Sequence, residues 1–248
     1  MIKIRGLKKR LGGKQVLNGV DLDIPTGETV VVMGRSGSGK SVLLKHIIGL
    51  MGPNEGSIEV DGQEIVGMKE RDLDEVRKRF GMLFQSAALF DSMSVGENVG
   101  LALREHLRIG DDEIRRRVAD RLEWVGLKGI EEMRPSSLSG GMRKRVGLAR
   151  AIAMDPQFIL YDEPTTGLDP VTADAINRLI RSLQKRLGVT SVVVTHDMTS
   201  AFHVGDHLAM LHDGTVVFVG TPDEMRQTDD ARVRQFVEGS SEGPIQVL

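Results

Sequence analysis

Thr29-Val30-Val31-Val32-Met33-Gly34-Arg35-Ser36-Gly37-Ser38-Gly39-Lys40-Ser41 passes from a short apolar run into a glycine-rich loop that closes on Lys-Ser. A run of this kind bounded by turn residues reads as a buried strand. The loop fills every required position of G-x-x-x-x-G-K-[ST], in the strand–loop–helix setting that gives the motif its meaning. Its glycines let backbone N–H groups turn inward on the α- and β-phosphates of a nucleotide. Lys40 reaches the β- and γ-phosphates, and the Ser41 hydroxyl suits Mg²⁺. A helix from Lys40 to about Leu50, with Val42 in its first turn, aims its positive end at the same anion. Gly34, Arg35, Ser36, Gly37, Ser38, Gly39, Lys40, Ser41 and Val42 are therefore the expected nucleotide-binding residues.

The rest of the chain constrains what such a site serves. At 248 residues there is room for one sizeable core divided into lobes. The 33 basic and 35 acidic residues are mixed along the chain, and the net charge of −2 provides no field for DNA or RNA. There is no cysteine, which removes disulfides and thiolate chemistry. Met1 to Arg5 reads as a strand rather than a signal segment, and no apolar run approaches the ~20 residues needed to span a bilayer. The chain is expected to be soluble by itself and to exercise any membrane role through a partner.

Val16 to Ile24 alternates as a strand, and Ser57 to Val60 followed by Asp61-Gly62 reads as a strand with a hairpin turn. These predict an antiparallel lobe beside the phosphate loop. Continuous apolar strands recur at Phe158 to Tyr161, Ser191 to Val194 and His207 to Leu211, with helices between them, the pattern of a covered parallel sheet. Between them lies a helical insertion. Ile114, Val118, Leu122 and Val125 are spaced as one helix face over 111–125, with Arg115, Arg116 and Arg117 mostly on its solvated side and Trp124 as packing.

The strand Phe158 to Tyr161 ends in Asp162-Glu163, two carboxylates where open α/β sheets put their ligand sites. Asp162 suits the Mg²⁺ side of the site and Glu163 the activation of the attacking water. Upstream lies Leu138-Ser139-Gly140-Gly141-Met142, ahead of a basic helix. With this segment the chain resembles the ABC-transporter ATPases over about residues 2–220. Companion motifs follow in the family's order: Gln85 after Gly81-Met82-Leu83-Phe84 as the Q-loop, Gly167-Leu168-Asp169 as the D-loop, and Thr195-His196-Asp197 with the switch histidine. The resemblance implies an α/β fold with a P-loop NTPase (RecA-like) ABC ATPase core, an antiparallel β lobe and an inserted helical subdomain. The core and β lobe would take about 1–84 and 155–220, the helical subdomain about 85–154, the whole ATPase domain 1–237, and a C-terminal tail 238–248.

It also implies ATP and Mg²⁺ as ligands, with Ser41, Gln85 and Asp162 about the metal and Glu163 and His196 in catalysis. Two cassettes of this family pack head to tail, so Ser139, Gly140 and Gly141 of one copy face the ATP of the other, with Asp169 between them. A helix N-terminus preceded by serine is a physically suitable second anion site. The family usually stacks an aromatic on adenine at the position held here by Leu11, and no Phe, Tyr or Trp precedes Phe80. Leu11 and Arg10 are the expected substitutes, by apolar contact and by guanidinium stacking.

Within the family, Arg77 to Phe90 and the Arg232-Val233-Arg234-Gln235-Phe236 segment resemble the ATPases of Mla- and Mce-associated phospholipid trafficking systems. That resemblance implies a membrane permease dimer as partner, a lipid-binding MCE-type protein, a small STAS-type accessory subunit, and a peripheral position on the cytoplasmic face of the inner membrane. Another ABC transporter, or a soluble ATPase of the iron–sulfur-assembly type, stays open on sequence alone. In the tail, Val233, Phe236 and Val237 form a short apolar stripe. Gly239 to Gly243 reads as a flexible link before the apolar end Pro244 to Leu248; a short helix on its own cassette with a frayed end is one reading, and the Mla resemblance would instead dock these last residues on the partner cassette.

Overall fold

The computed structural model describes residues 1–246, in two compact units: one built from residues up to Leu73 and from Thr190 onward, the other from Asp74 to Val189. In the first, β1 (Ile2–Leu11) and β2 (Lys14–Ile24) precede β3 (Thr29–Met33), helix α1 (Lys40–Ile47), β4 (Glu55–Val60) and β5 (Gln63–Glu64). Helix α2 (Glu70–Arg77) leads into the second unit, which holds β6 (Phe80–Leu83), α3 (Val95–His106), α4 (Asp111–Trp124), α5 (Gly140–Ala151), β7 (Phe158–Asp162) and α6 (Pro170–Leu187). The chain then returns through β8 (Thr190–Thr195), α7 (Met198–Val204), β9 (His207–His212), β10 (Thr215–Gly220), α8 (Pro222–Arg226) and α9 (Ala231–Glu238).

All five residues of β3 are buried, because it pairs in parallel with β8 on one side and β9 on the other. A strand enclosed this way must be apolar on both faces, hence Val30-Val31-Val32-Met33 rather than an alternating pattern. The other sheet of this unit is antiparallel, in the order β2-β1-β4-β5, with Ile2, Ile4, Leu7, Val20, Leu22 and Ile24 inward. Register shifts after Ile4 and around Leu7 explain why the alternation along β1 breaks there. The Asp61-Gly62 turn has positive φ at both residues (48° and 82°), the geometry that a two-residue hairpin requires. Helix α1 ends at Ile47, short of Leu50, because Gly49 turns left-handed (φ 67°) and donates its N–H to the His46 carbonyl at 3.0 Å.

In the second unit β6 and β7 pair in parallel, and Phe80 stacks on Phe158 across them at 4.7 Å between ring centres. Helix α4 buries Ile114, Val118 and Leu122, as its spacing requires. Arg115 and Arg116 stay exposed in short-range pairs with Asp112 and Glu113, which contribute little to stability. Trp124 is held between the guanidinium groups of Arg121 (4.1 Å) and Arg186 (3.6 Å). The division at Asp74 and Val189 is wider than the expected 85–154, since β6, β7 and α6 cluster with the helices.

One buried polar side chain organises the segment between β6 and α3. Asn98 is fully buried; its amide donates to the carbonyls of Phe90, Met93 and Ser94 and accepts from the Phe90 N–H. A capping box between Ser94 and Glu97 starts α3 beneath it. In the tail, the spacing that predicts an apolar stripe in α9 misses the buried polar residue Gln235. Its side chain pairs with Ile245 through both atoms, Nε2 to the carbonyl at 2.9 Å and Oε1 from the N–H at 2.7 Å. Residues 240–246 therefore close over α9 of their own chain instead of running on as an open link, and the Gln246 carbonyl accepts from Arg35 Nη1 at 2.7 Å. Val247 and Leu248, part of the expected apolar end, lie outside the described residues. No helix among the described residues is long and apolar enough to cross a membrane.

Asn98→Ala strands several buried backbone groups. It is expected to cost about 2–3 kcal/mol, by the penalty for unmade buried hydrogen bonds, visible as a lower urea midpoint at unchanged slope.

Candidate functional site

The phosphate loop leaves β3 with no spare room. A β-carbon at Gly34 (φ 155°) would overlap the Leu211 carbonyl oxygen, and one at Gly39 (φ 105°) would sit 3.0 Å from the Val16 carbonyl. Both positions therefore need glycine, for space and for backbone conformation. Lys40 is buried, and its ammonium donates to the carbonyls of Gly34 (2.8 Å) and Arg35 (3.1 Å), bending across the mouth of the loop. Arg35, Ser36 and Gly37 are exposed on the rim, Ser38 is half-buried with its Oγ enclosed, and Ser41 and Val42 lie half-buried in the first turn of α1. A glycine-lined concavity with an enclosed hydroxyl, a lysine and a helix N-terminus is the donor set that a polyphosphate takes.

Arg10 and Leu11 are exposed at the end of β1, at the β1–β2 turn. Val16, farther along β2, packs on the loop at Gly39, and the sequence reading passed over it. His196 is exposed at the end of β8, not a core residue, and the Asp197 beside it caps α7.

In the second unit Asp162 and Glu163 close β7, both buried. Glu163 adopts φ 48°, a left-handed conformation that costs a non-glycine residue roughly 1–2 kcal/mol. Its carboxylate accepts from the Thr166 hydroxyl at 3.1 Å, which fixes the rotamer. Gln85 is exposed just beyond β6, and Ala87 and Ala88 after it are also left-handed, at 63° and 46°. Ser139 caps α5, its hydroxyl accepting from the Met142 N–H at 3.2 Å, so its backbone neighbours Gly140 and Gly141 start the helix. A β-carbon at Gly141 would come within 2.7 Å of the Thr172 methyl group, which explains the second glycine. Asp169 caps α6, accepting from the N–H groups of Val171 and Thr172 and from the Thr172 hydroxyl, which together hold its carboxyl below the usual range.

Two cations of α5 went unremarked in the sequence. Lys144 is buried, and its ammonium donates to the carbonyls of Gln85 (2.5 Å) and Glu163 (3.0 Å). Burial lowers its pKa to about 8, against the opposing pull of Asp162 and Glu163. Arg150 donates to the carbonyls of Ala88 (2.7 Å) and Ala87 (2.6 Å). Both stand in a run that reads only as a basic helix, and only their contacts distinguish them.

A family model described as ABC transporter matches residues 17–166, from β2 through the phosphate loop, the Ser139 cap and the Asp162-Glu163 pair. The chain belongs to the ABC transporter family. A probable ribonucleotide transport ATP-binding protein, mkl, of Mycobacterium leprae is 44% identical over 98% of this cassette and 70% of its own length. The intermembrane phospholipid transport system ATP-binding protein MlaF of Haemophilus influenzae is 42% identical over 99% of the cassette and 93% of its own length. Among solved structures, the dimeric ABC cassette MJ0796, in a post-hydrolysis state with ADP and phosphate, superposes with a TM-score of 0.83 at 35% identity, covering 90% of this chain and 99% of that one. The α/β ABC ATPase fold anticipated from the motifs is thus the fold of this chain, and the cassette is an ABC-type ATPase.

Gly34→Ala forces the loop away from Leu211. Titration calorimetry is expected to show ATP affinity reduced about tenfold or more, equivalent to ~1.4 kcal/mol.

Proposed function

We propose that this ABC cassette is the ATP-hydrolysing motor of a phospholipid transporter, working on the cytoplasmic face of the inner membrane. The observation that carries the reading is the nearly end-to-end match to MlaF, over 99% of this chain and 93% of that protein. The Q-loop segment Arg77 to Phe90 and the Arg232 to Phe236 segment support it by the same resemblance. A permease dimer, an MCE-type lipid-binding protein and a STAS-type subunit are the partners this reading entails, together with a second copy of the cassette. The name of the mycobacterial relative suggests ribonucleotides instead, and the transport assay below separates the two.

In this proposal the loop from Gly34 to Ser41 and Val42 grips the phosphates, and Lys40 leaves its carbonyl partners to neutralise charge at the β/γ bridge. Arg10 and Leu11 meet the adenine. Ser41, Asp162 and Gln85 would hold Mg²⁺, which keeps several waters and so needs few protein oxygens; when bound, the ion neutralises charge on the phosphates. Glu163, held by Thr166, polarises the attacking water, and His196 steadies that water and the γ-phosphate. Ser139, Gly140 and Gly141 close on the nucleotide of the partner copy, with Asp169 at the junction. Nucleotide then stabilises the closed pair by mass action, and hydrolysis releases it.

Glu163→Gln is expected to keep ATP affinity while turnover falls about 10²–10⁴-fold, the range for loss of a general base. Reconstituted with its permease in vesicles, the wild-type cassette should move labelled phospholipid in an ATP-dependent way that Glu163→Gln abolishes. Movement of ribonucleotide without phospholipid would replace the lipid reading.

Shared sites make a second test. Lys40→Ala and Ser139→Ala damage opposite halves of each composite site, so a mixed dimer retains one intact site. Nucleotide-dependent pairing is expected in the mixture and absent from either mutant alone; equal defects in all three would count against the head-to-tail arrangement.

A further inference from the structure

Helix α5 opens at the Ser139 cap and carries two cations six residues apart, Lys144 buried and Arg150 half-buried, and both are spent on backbone carbonyls rather than on carboxylates. Lys144 bridges the carbonyl of Gln85 to that of Glu163, and Arg150 holds the carbonyls of Ala87 and Ala88. Three of these four carbonyl-bearing residues, Glu163, Ala87 and Ala88, are in the left-handed conformation. A non-glycine backbone stays there only when its surroundings over-determine it. The side-chain donors on these four carbonyls, Lys144 and Arg150, come from one helix, and Thr166 adds its N–H and hydroxyl at the Glu163 turn.

We infer that Lys144 is a positioning residue for ATP hydrolysis: by tying the Gln85 and Glu163 carbonyls to α5, with Arg150 holding the next two residues of the same segment, it makes the Q-loop, the catalytic carboxylate and the Ser139 cap move as one piece. A movement of the segment after Gln85 is thereby delivered to the Glu163 turn through a single ammonium group. Burial of that ammonium is offset by two direct hydrogen bonds and by the nearby Asp162 and Glu163 carboxylates. A helix whose only task was packing would gain by an apolar residue at this position.

The inference rests on Glu163 acting on water, so Glu163→Gln is measured alongside. The test compares Lys144→Met, of similar shape without a donor, and Lys144→Arg, which keeps charge and donors, in the full chain alone and reconstituted with its permease. Lys144→Met is expected to lower kcat about 10–100-fold, the scale for a misplaced catalytic group, with KM for ATP, ATP affinity and Tm nearly unchanged. Amide hydrogen exchange should quicken at 85–88 and 163–166. Lys144→Arg should restore most of the turnover. Full turnover in Lys144→Met while Glu163→Gln is inactive overturns the inference and leaves Glu163 in place. A fall in kcat matched by falls in Tm and ATP affinity reduces Lys144 to a packing role and overturns it also. Wild-type turnover in Glu163→Gln overturns the reading beneath it. Should Lys144→Met not fold, Lys144→Gln, which keeps one donor group without charge, carries the same readouts.

Discussion

Everything about the phosphate loop depends on the enclosure of β3 between two parallel neighbours. Because β8 and β9 pair with it on both edges, the strand cannot shift along its axis without breaking both ladders. Gly34 is thereby set against the Leu211 carbonyl at the end of β9, and the loop must turn at that point. Gly39 is set in the same way by Val16 of β2. With both ends of the loop set against neighbouring backbone atoms, its path is arranged before any anion arrives. Such preorganisation is where electrostatic stabilisation is strongest, since no reorganisation is needed when charge develops.

The second unit solves a related problem by different means. Its functional backbone lies in turns rather than in a strand, so no ladder holds it. Cations supply the restraint instead: Lys144 and Arg150 reach carbonyls from α5, while Thr166 fixes the Glu163 carboxylate and Asn98 holds the Phe90 to Ser94 turn. Asp169 and Ser139 serve as helix caps, so each has a structural duty in the isolated chain. A residue that caps a helix also points the helix N-terminus, and its conservative replacement alters both. The tail offers a third instance of side chain governing backbone, with Gln235 reading both polar atoms of Ile245.

The sequence by itself determined the class of fold and the kind of ligand, because both are written locally. Continuous apolar runs at 29–33, 158–161, 191–194 and 207–211, short and bounded by turn residues, read as strands of a covered sheet, and G-x-x-x-x-G-K-S between strand and helix reads as a phosphate loop. The Asp162-Glu163 pair and the Ser139 cap were legible for the same reason, each being a few adjacent residues at the end of an element. Helix limits were less so: the end of α1 turned on the left-handed Gly49, which nothing in the apolar spacing announced.

What only the tertiary structure decided is which polar side chains turn inward onto the backbone and whom they serve. Lys144, Arg150, Asn98 and Gln235 look like ordinary polar residues of solvated helices, since hydrophobic periodicity records a residue's class and not its partner. Their partners are backbone carbonyls and N–H groups, which every residue carries and no sequence pattern marks. For Lys144 and Arg150 those partners are brought to α5 by the fold across long stretches of chain, Gln85 lying 59 residues from Lys144 and Ala87 63 from Arg150.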